Sequence, residues 1–157
     1  MKWVLIFVLI CVIMIIAKSL SEQYADRYDF YYNLKQFLTR FKLNLSFRQT
    51  KIMEFINSLK PKKQFRLFIE SYKNYLNTSS LNLSTIKILE TEDKQVLEDI
   101  VKNTGKLDSQ NEINQIDSFL CVIDSKLTKA EQDKNKICPL ILKLSFLLAV
   151  GLAILLV

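Results

Sequence analysis

Two long apolar segments lie near the ends of the chain, and nearly all of the charge lies between them. The first is an unbroken apolar run from Trp3 to Ala17, and the second runs from Leu144 to Val157. With a few flanking residues, each approaches the roughly 20 apolar residues that a helix needs to cross a bilayer. The pattern predicts three parts: a transmembrane helix in residues 1–20, a polar domain in residues 21–136, and a transmembrane helix in residues 137–157.

Apolar residues in the polar domain recur at steps of three and four, which is the period of an amphipathic helix. Two such stripes are long. One follows the first apolar segment without a break and contains Tyr24, Tyr28, Tyr31, Leu34, Leu38, Phe41 and Leu45. The other contains Ile113, Ile116, Leu120, Ile123, Leu127 and Ala130 and reads as an a/d seam. A seam of this kind predicts shallow-angle packing against a neighbouring helix.

Capping signals predict where the remaining helices begin. Ser46 with Gln49, and Ser109 with Glu112, each match the spacing of a capping box. Thr91, followed by two acidic residues, predicts another helix start because acidic side chains favour the positive end of the helix dipole.

Glycine and proline predict the helix ends. Pro61 suits the first turn of a helix, Gly105 suits a left-handed stop, and Pro139 marks a kink or junction before the second span. Residues 77–84 look like a loop. The chain contains only two glycines and two prolines, too few for a domain of hairpins or barrels. The fold class is therefore predicted to be all-α, a helical bundle between two spans.

The sequence offers no catalytic constellation. It contains no histidine, no phosphate-binding loop, and three scattered cysteines that suit a reducing compartment better than a disulfide framework. The acids Glu90, Glu92, Asp93, Glu98 and Asp99 could hold a cation, but on a helix surface such acids are usually a solvated face. We therefore expect neither an enzyme nor a bound cofactor or metal.

Basic residues are concentrated in the first half of the domain. Residues 18–73 hold 12 basic and 5 acidic residues, whereas residues 74–136 hold 8 basic and 11 acidic residues. This surface could contact anionic lipid or a protein partner, or the two halves could simply attract each other. Nucleic acid is a weaker candidate for a domain held beside a bilayer. The candidate contact residues are Arg40, Lys42, Arg48, Lys51, Lys60, Lys62 and Lys63.

The distribution of lysines predicts the orientation. Six basic residues flank the spans on the domain side: Lys18, Arg27, Lys129, Lys134, Lys136 and Lys143. The opposite side has only Lys2 and the terminal amine. The positive-inside rule therefore places the domain in the cytoplasm.

These features together resemble the stage III sporulation protein AB family of endospore-forming bacteria. The resemblance covers nearly the whole chain, from a short span ending in Ala17 and Lys18 to a terminal span with Gly151 at the family's glycine position. It is most informative in residues 89–127, which are similar to the family's acidic helix, turn and glutamine-containing long helix. The turn at residues 104–108 is looser than the family's, and the region around residues 77–84 is shorter and lacks its frequent tryptophan.

This resemblance implies a fold and a role. The domain would be similar to the F-protein domain of type II secretion systems, a bundle of about six helices. The protein would be a non-enzymatic platform in the mother-cell membrane around the forespore, within a secretion-like channel. Its partners would be membrane lipid, an AA-type sporulation ATPase, other channel proteins and a second copy of the chain.

Two other interpretations remain open at this point. A two-span sensor or regulator would also have a cytoplasmic bundle, although little of the chain would lie outside. A secreted helical binding protein would use the first apolar segment as a cleaved signal, with Ala17 and Ser19 as a small-residue pair around Lys18.

Overall fold

The computed structural model describes residues 2–47, 51–61, 63–105 and 109–156. Within these ranges the chain forms five helices and no strand. The helices are α1 (Lys2–Phe47), α2 (Ile52–Ser58), α3 (Lys63–Thr78), α4 (Thr91–Asn103) and α5 (Ser109–Leu156). The all-α prediction is confirmed, whereas the expected count of about six bundle helices is not.

The apolar segments are not separate elements. They are the outer ends of α1 and α5, which contain 46 and 48 residues. At 1.5 Å per residue each helix is about 70 Å long, more than twice the roughly 30 Å thickness of a bilayer core. No glycine or proline occurs in α1, and α5 continues through Pro139 without ending there.

Both long helices contain an apolar stretch of spanning length, one within Phe7–Phe47 and one within Gln110–Ile154. Only 6% of each stretch is buried inside the protein. A core helix of a soluble protein would be largely covered by other elements, so this exposure suits contact with lipid.

α1 and α5 pack side by side in opposite directions. Residues further along α1 contact residues nearer the start of α5, as expected for an antiparallel pair. The contacts that define this register are Ser21 O with Cys138 Sγ at 3.4 Å, Lys35 Nζ with Asp124 Oδ1 at 2.7 Å, and Lys42 Nζ with Asp117 Oδ1 at 2.6 Å. The predicted seam is confirmed in part, because Ile116, Ile123 and Ala130 are buried between the helices.

The core lies where α3 and α4 cover the inner halves of the long pair. The predicted α1 stripe is buried at Tyr31, Leu34, Leu38 and Phe41. Phe30 and Phe37 are buried as well, although they lie off that stripe. They pack edge-on against Phe65 and Phe68 of α3, with ring centroids 6.0–6.5 Å apart. α1 therefore buries a wide face, because it contacts α5 on one side and α3 on another.

The capping box predicted at Ser46 is wrong. Ser46 lies in the last turn of α1, and its hydroxyl donates to the carbonyl of Lys42 at 3.1 Å. A serine inside a helix can donate its hydroxyl hydrogen bond to a carbonyl of the preceding turn, so a serine does not by itself mark the start of a helix. Helix α2 instead begins after Lys51, which makes no side-chain cap, and Gln49 lies outside the described residues.

The boundaries of the later helices agree better with those predicted from the sequence. α4 begins at Thr91, capped by a reciprocal pair between Glu90 and Asp93, and the loop after Thr78 is present. Gly105 follows the end of α4 with φ +86°, so the predicted left-handed stop is confirmed. Pro61 precedes the first residue of α3 by two positions rather than lying in its first turn.

The capping box predicted at Ser109 requires that serine to precede the helix, but α5 begins at Ser109 itself. Glu112 is nearly fully buried, and its carboxylate accepts a 2.6 Å hydrogen bond from the backbone N–H of Gly105. This bond ties the start of α5 to the end of α4.

Candidate functional site

The structure separates the predicted basic surface into paired and unpaired residues. Arg40, Lys51 and Lys60 are exposed, and none of them forms an ion pair with another described residue. Lys42 is bound to Asp117 of α5. The predicted contact residues therefore differ in whether they form ion pairs within the protein. Two of the seven, Arg48 and Lys62, lie outside the described residues.

Lys63 is paired within the protein. Its ammonium lies 2.9 Å from Asp26 Oδ1 and 3.3 Å from Asp29 Oδ2, so it links the start of α3 to α1. Hydrogen bonds to these two carboxylates raise the pKa of Lys63. At the exposed surface such a bridge contributes little stability, and its main effect is to fix where α3 begins beside α1.

An open groove lies between α1 and the segment that joins α2 to α3. Arg40 and Lys60 line it from opposite sides, together with Tyr32 and Gln36 of α1 and with Leu59 and Pro61. Tyr32 is 47% exposed. The groove therefore combines an accessible aromatic ring with two cations that pair with no described acidic residue.

The same side of α1 becomes more apolar toward its end. Leu43 is 53% exposed and Phe47 is 82% exposed, and both line a surface depression with Arg40 and Asn44. Large apolar side chains on a soluble surface often mark a contact site for another protein. We call the set Arg40, Leu43, Asn44 and Phe47 the distal surface.

The distal surface is far from the apolar end of α1. Arg40 lies 20 residues beyond Leu20, which corresponds to about 30 Å along the helix. A lipid headgroup layer is only several ångströms deep. A protein partner therefore fits this position better than lipid does.

A buried charge cluster lies closer to the spans. Asp93 is 2% exposed and accepts hydrogen bonds from two cations, Arg27 Nη2 at 2.8 Å and Lys126 Nζ at 2.5 Å. Arg27 also donates to Glu90 Oε1 at 2.7 Å. The cluster thus joins α1, α4 and α5 through a single carboxylate.

Burial alone would raise the pKa of Asp93, but Lys126 and Arg27 lower it below its ordinary value, so the carboxylate is ionised at neutral pH. Burial and the nearby negative charge of Asp93 raise the pKa of Tyr31 in turn. This arrangement ties α1, α4 and α5 together.

A sequence signal for this cluster existed but is easily missed. Asp93 stands among acids that look like a solvated helix start, yet it precedes Leu97 and Ile100 by four and seven positions. It therefore lies on the buried face of α4. Arg27 has the same relation to Tyr31 and Leu34 on α1. A charge on an apolar stripe is the pattern that predicts a buried partner.

The cluster also bears on metal binding. In the part of the chain that the structure describes, no group of three or more cysteine or acidic side chains is placed to hold a metal ion. Glu90 and Asp93 point instead at Arg27, and the small cavity beside them is lined by both signs of charge.

Comparison with known proteins identifies a family. The family model described as stage III sporulation protein AB matches residues 2–157, essentially the whole chain. No curated protein and no solved structure gives a significant match. The two apolar helix ends and the helical region between them all fall within the matched residues. The chain therefore belongs to the stage III sporulation protein AB family.

Proposed function

We propose that this protein is a non-enzymatic membrane platform of the secretion-like channel that connects mother cell and forespore during sporulation. Membership in the stage III sporulation protein AB family supports a role at that stage. In this proposal the outer ends of α1 and α5 span the mother-cell membrane around the forespore. Their inner ends hold a helical bundle on the cytoplasmic side, and the bundle docks an AA-type ATPase.

The continuity of α1 and α5 is the observation that carries the proposal. Each passes from an exposed apolar segment into the bundle as one helix, so no flexible linker separates anchor from domain. The buried Asp93 cluster ties α4 to both long helices close to the spans. A bundle held in this way keeps a fixed height and direction above the membrane, which is what a docking platform needs.

The distal surface is the docking site in this proposal. It presents exposed apolar side chains beside Arg40, which pairs with no described acidic residue, about 30–40 Å beyond the end of the first span. Apolar area surrounded by polar residues is the common composition of a protein interface. The guanidinium of Arg40 would favour an acidic partner surface and speed association with it.

The test is affinity purification of the tagged full-length protein from sporulating mother cells. We expect the ATPase and other channel proteins to be recovered with the wild type. Recovery should fall at least tenfold for L43S/F47S, since the few residues at an interface centre that dominate binding contribute more than about 1 kcal/mol each. Recovery should also fall for R40E, because the charge that faces an acidic partner is reversed.

Matched controls change similar residues elsewhere. Val122→Ser alters an exposed apolar residue of α5, and Lys87→Glu reverses an exposed unpaired charge; neither should reduce recovery. Recovery of no channel protein with the wild type would overturn the platform role. Equal losses in the control and distal variants would show that the distal surface is not the docking site.

A further inference from the structure

Three lysines of α5 occupy one face of the helix at the level where the second span begins. Lys129, Lys136 and Lys143 are seven residues apart, which is close to two helical turns. Successive members are therefore offset by only about 20° around the helix. All three are exposed, and none forms an ion pair within the described ranges.

The same face becomes apolar toward the end of the chain. Leu140, Leu147 and Ile154 follow Lys136 by four, eleven and eighteen residues and are 54%, 65% and 73% exposed. Gly151 lies beside them, and a Cβ at Gly151 would have no atom within 4 Å. Within about three turns the face thus changes from cations that pair with no described residue to exposed apolar side chains, with Leu140 lying between Lys136 and Lys143.

That order matches the order of groups in a phospholipid. The phosphate lies at the membrane surface, and the acyl chains continue from it into the apolar interior. Lys136 and Lys143 are about 10 Å apart along the helix, and a lysine side chain can extend along the helix to place its ammonium in the headgroup layer. Both ammonium groups can therefore reach one headgroup layer.

Acidic side chains in the same region limit which lysines are available. Lys129 borders the small cavity that also contains Glu92 and Asp93. Glu131 and Asp133 lie on the same turns of α5 as Lys129 and Lys134, and Lys134 is placed over the ring of Tyr28 at 4.3 Å. Lys136 and Lys143 are thus the best-placed cations for an external anion.

We propose that this face of α5 binds an anionic phospholipid. Lys136 and Lys143 bind its phosphate, and its acyl chains lie along Leu140, Leu147 and Ile154. The proposal rests on the proposed function in one respect, the insertion of α1 and α5 into a bilayer. The proposal adds a preference for negatively charged lipid on one side of the second span.

The first measurement separates the two proposals. The purified full-length protein is reconstituted into vesicles of phosphatidylcholine alone and extracted with alkaline carbonate. Retention in the vesicles shows that the helices insert. Extraction into solution would contradict the membrane insertion on which both proposals depend.

The second measurement tests lipid preference. The protein in detergent micelles is mixed with equal amounts of phosphatidylglycerol and phosphatidylcholine, and bound lipid is counted by native mass spectrometry. We expect the wild type to retain phosphatidylglycerol preferentially. K136Q/K143Q should lower this preference roughly ten- to thirty-fold, as expected for two lysines near anionic lipid.

Two matched variants complete the design. R40Q/K51Q removes the same charge at the far end of the bundle and should keep the wild-type preference. K136R/K143R keeps the positive charge and should also keep the wild-type lipid preference. Equal retention of the two lipids by the wild type would overturn the proposal. So would an equal loss of preference in R40Q/K51Q.

Discussion

At the scale of single residues, the carboxylate of Asp93 links three helices. It is almost fully buried and is the only acceptor shared by Arg27 and Lys126 among the described residues. A buried ion pair is weak evidence of stability in itself, because burying the charges costs about as much as their attraction returns. Removing one partner is destabilising, because the remaining buried charges then have no opposite charge to offset the cost of their burial.

We expect Asp93→Ala to lower the free energy of unfolding by about 2–4 kcal/mol. This range lies slightly below that for a fully buried pair because Arg27 and Lys126 are 17% and 24% exposed and can turn partly toward water. The measurement is chemical unfolding of the full-length protein in detergent, followed by helical circular dichroism. Glu92→Ala changes an exposed neighbour in the same turn and should shift stability by less than about 0.5 kcal/mol. Similar effects for both variants would contradict a structural role specific to Asp93.

The same residue predicts a dependence on pH. The pKa of Asp93 is lower in the folded protein than its ordinary value of 3.8, so folding favours the ionised form. The stability that the ionised carboxylate contributes is fully present above the pKa of Asp93 in the unfolded chain. It is lost as the pH falls through the lower pKa of Asp93 in the folded protein. The stability difference between wild type and Asp93→Asn should therefore be largest near neutral pH and should shrink below about pH 4. A difference that stays constant from pH 7 to pH 3 would show that the carboxylate's charge is unimportant.

The two glycines provide another test at this scale. Gly105 has φ +86°, and an added Cβ would lie 3.0 Å from Cγ2 of Ile52. Gly151 lies in the helical part of α5 with open space around it. We expect Gly105→Ala to destabilise the protein by about 1–3 kcal/mol and Gly151→Ala to be neutral or slightly stabilising. Comparing their unfolding midpoints in detergent checks this. A larger loss at Gly151 would indicate that another membrane helix packs there.

At the scale of elements, periodicity predicted more than local signals did. The α1 stripe and the α5 seam were visible because packing requires apolar residues every three or four positions. Start and stop signals were less reliable, as Ser46 shows, since a serine can also bond back to its own helix. Phe30 and Phe37 could not be assigned from one stripe, because their burial depends on α3 covering a second side of α1.

The register of α1 against α5 can be tested by a disulfide. Cys138 Sγ lies 3.4 Å from the carbonyl oxygen of Ser21, so the side chain of Cys138 reaches the backbone of α1 at this level. In a C11S/C121S background we expect S21C to form an intramolecular disulfide with Cys138 under mild oxidation. S19C is the control, because Ser19 is two positions away on a different side of α1. The bond is detected by protein mobility on a non-reducing gel and by peptide mass. A stronger bond from S19C would contradict the register.

At the scale of the whole molecule, function depends on which side of the membrane the bundle occupies. The structure fixes both apolar ends on the same side of the bundle, because α1 and α5 are antiparallel. It follows that the bundle lies entirely on one face of any membrane the two ends cross. The side itself was predicted from lysines alone, and those lysines flank the spans on the bundle side.

Cys121 is the residue that decides this orientation. It is exposed on α5 within the bundle, whereas Cys11 is in the first apolar segment. In a C11S/C138S background, the protein is produced in vegetative cells so that it lies in the outer cell membrane. A membrane-impermeant maleimide added to these intact cells should leave Cys121 unlabelled, and it should label Cys121 fully after the cells are opened. Labelling in intact cells would place the bundle outside the cytoplasm. A cytoplasmic ATPase could then not reach the distal surface, and the platform role proposed for this chain would be wrong.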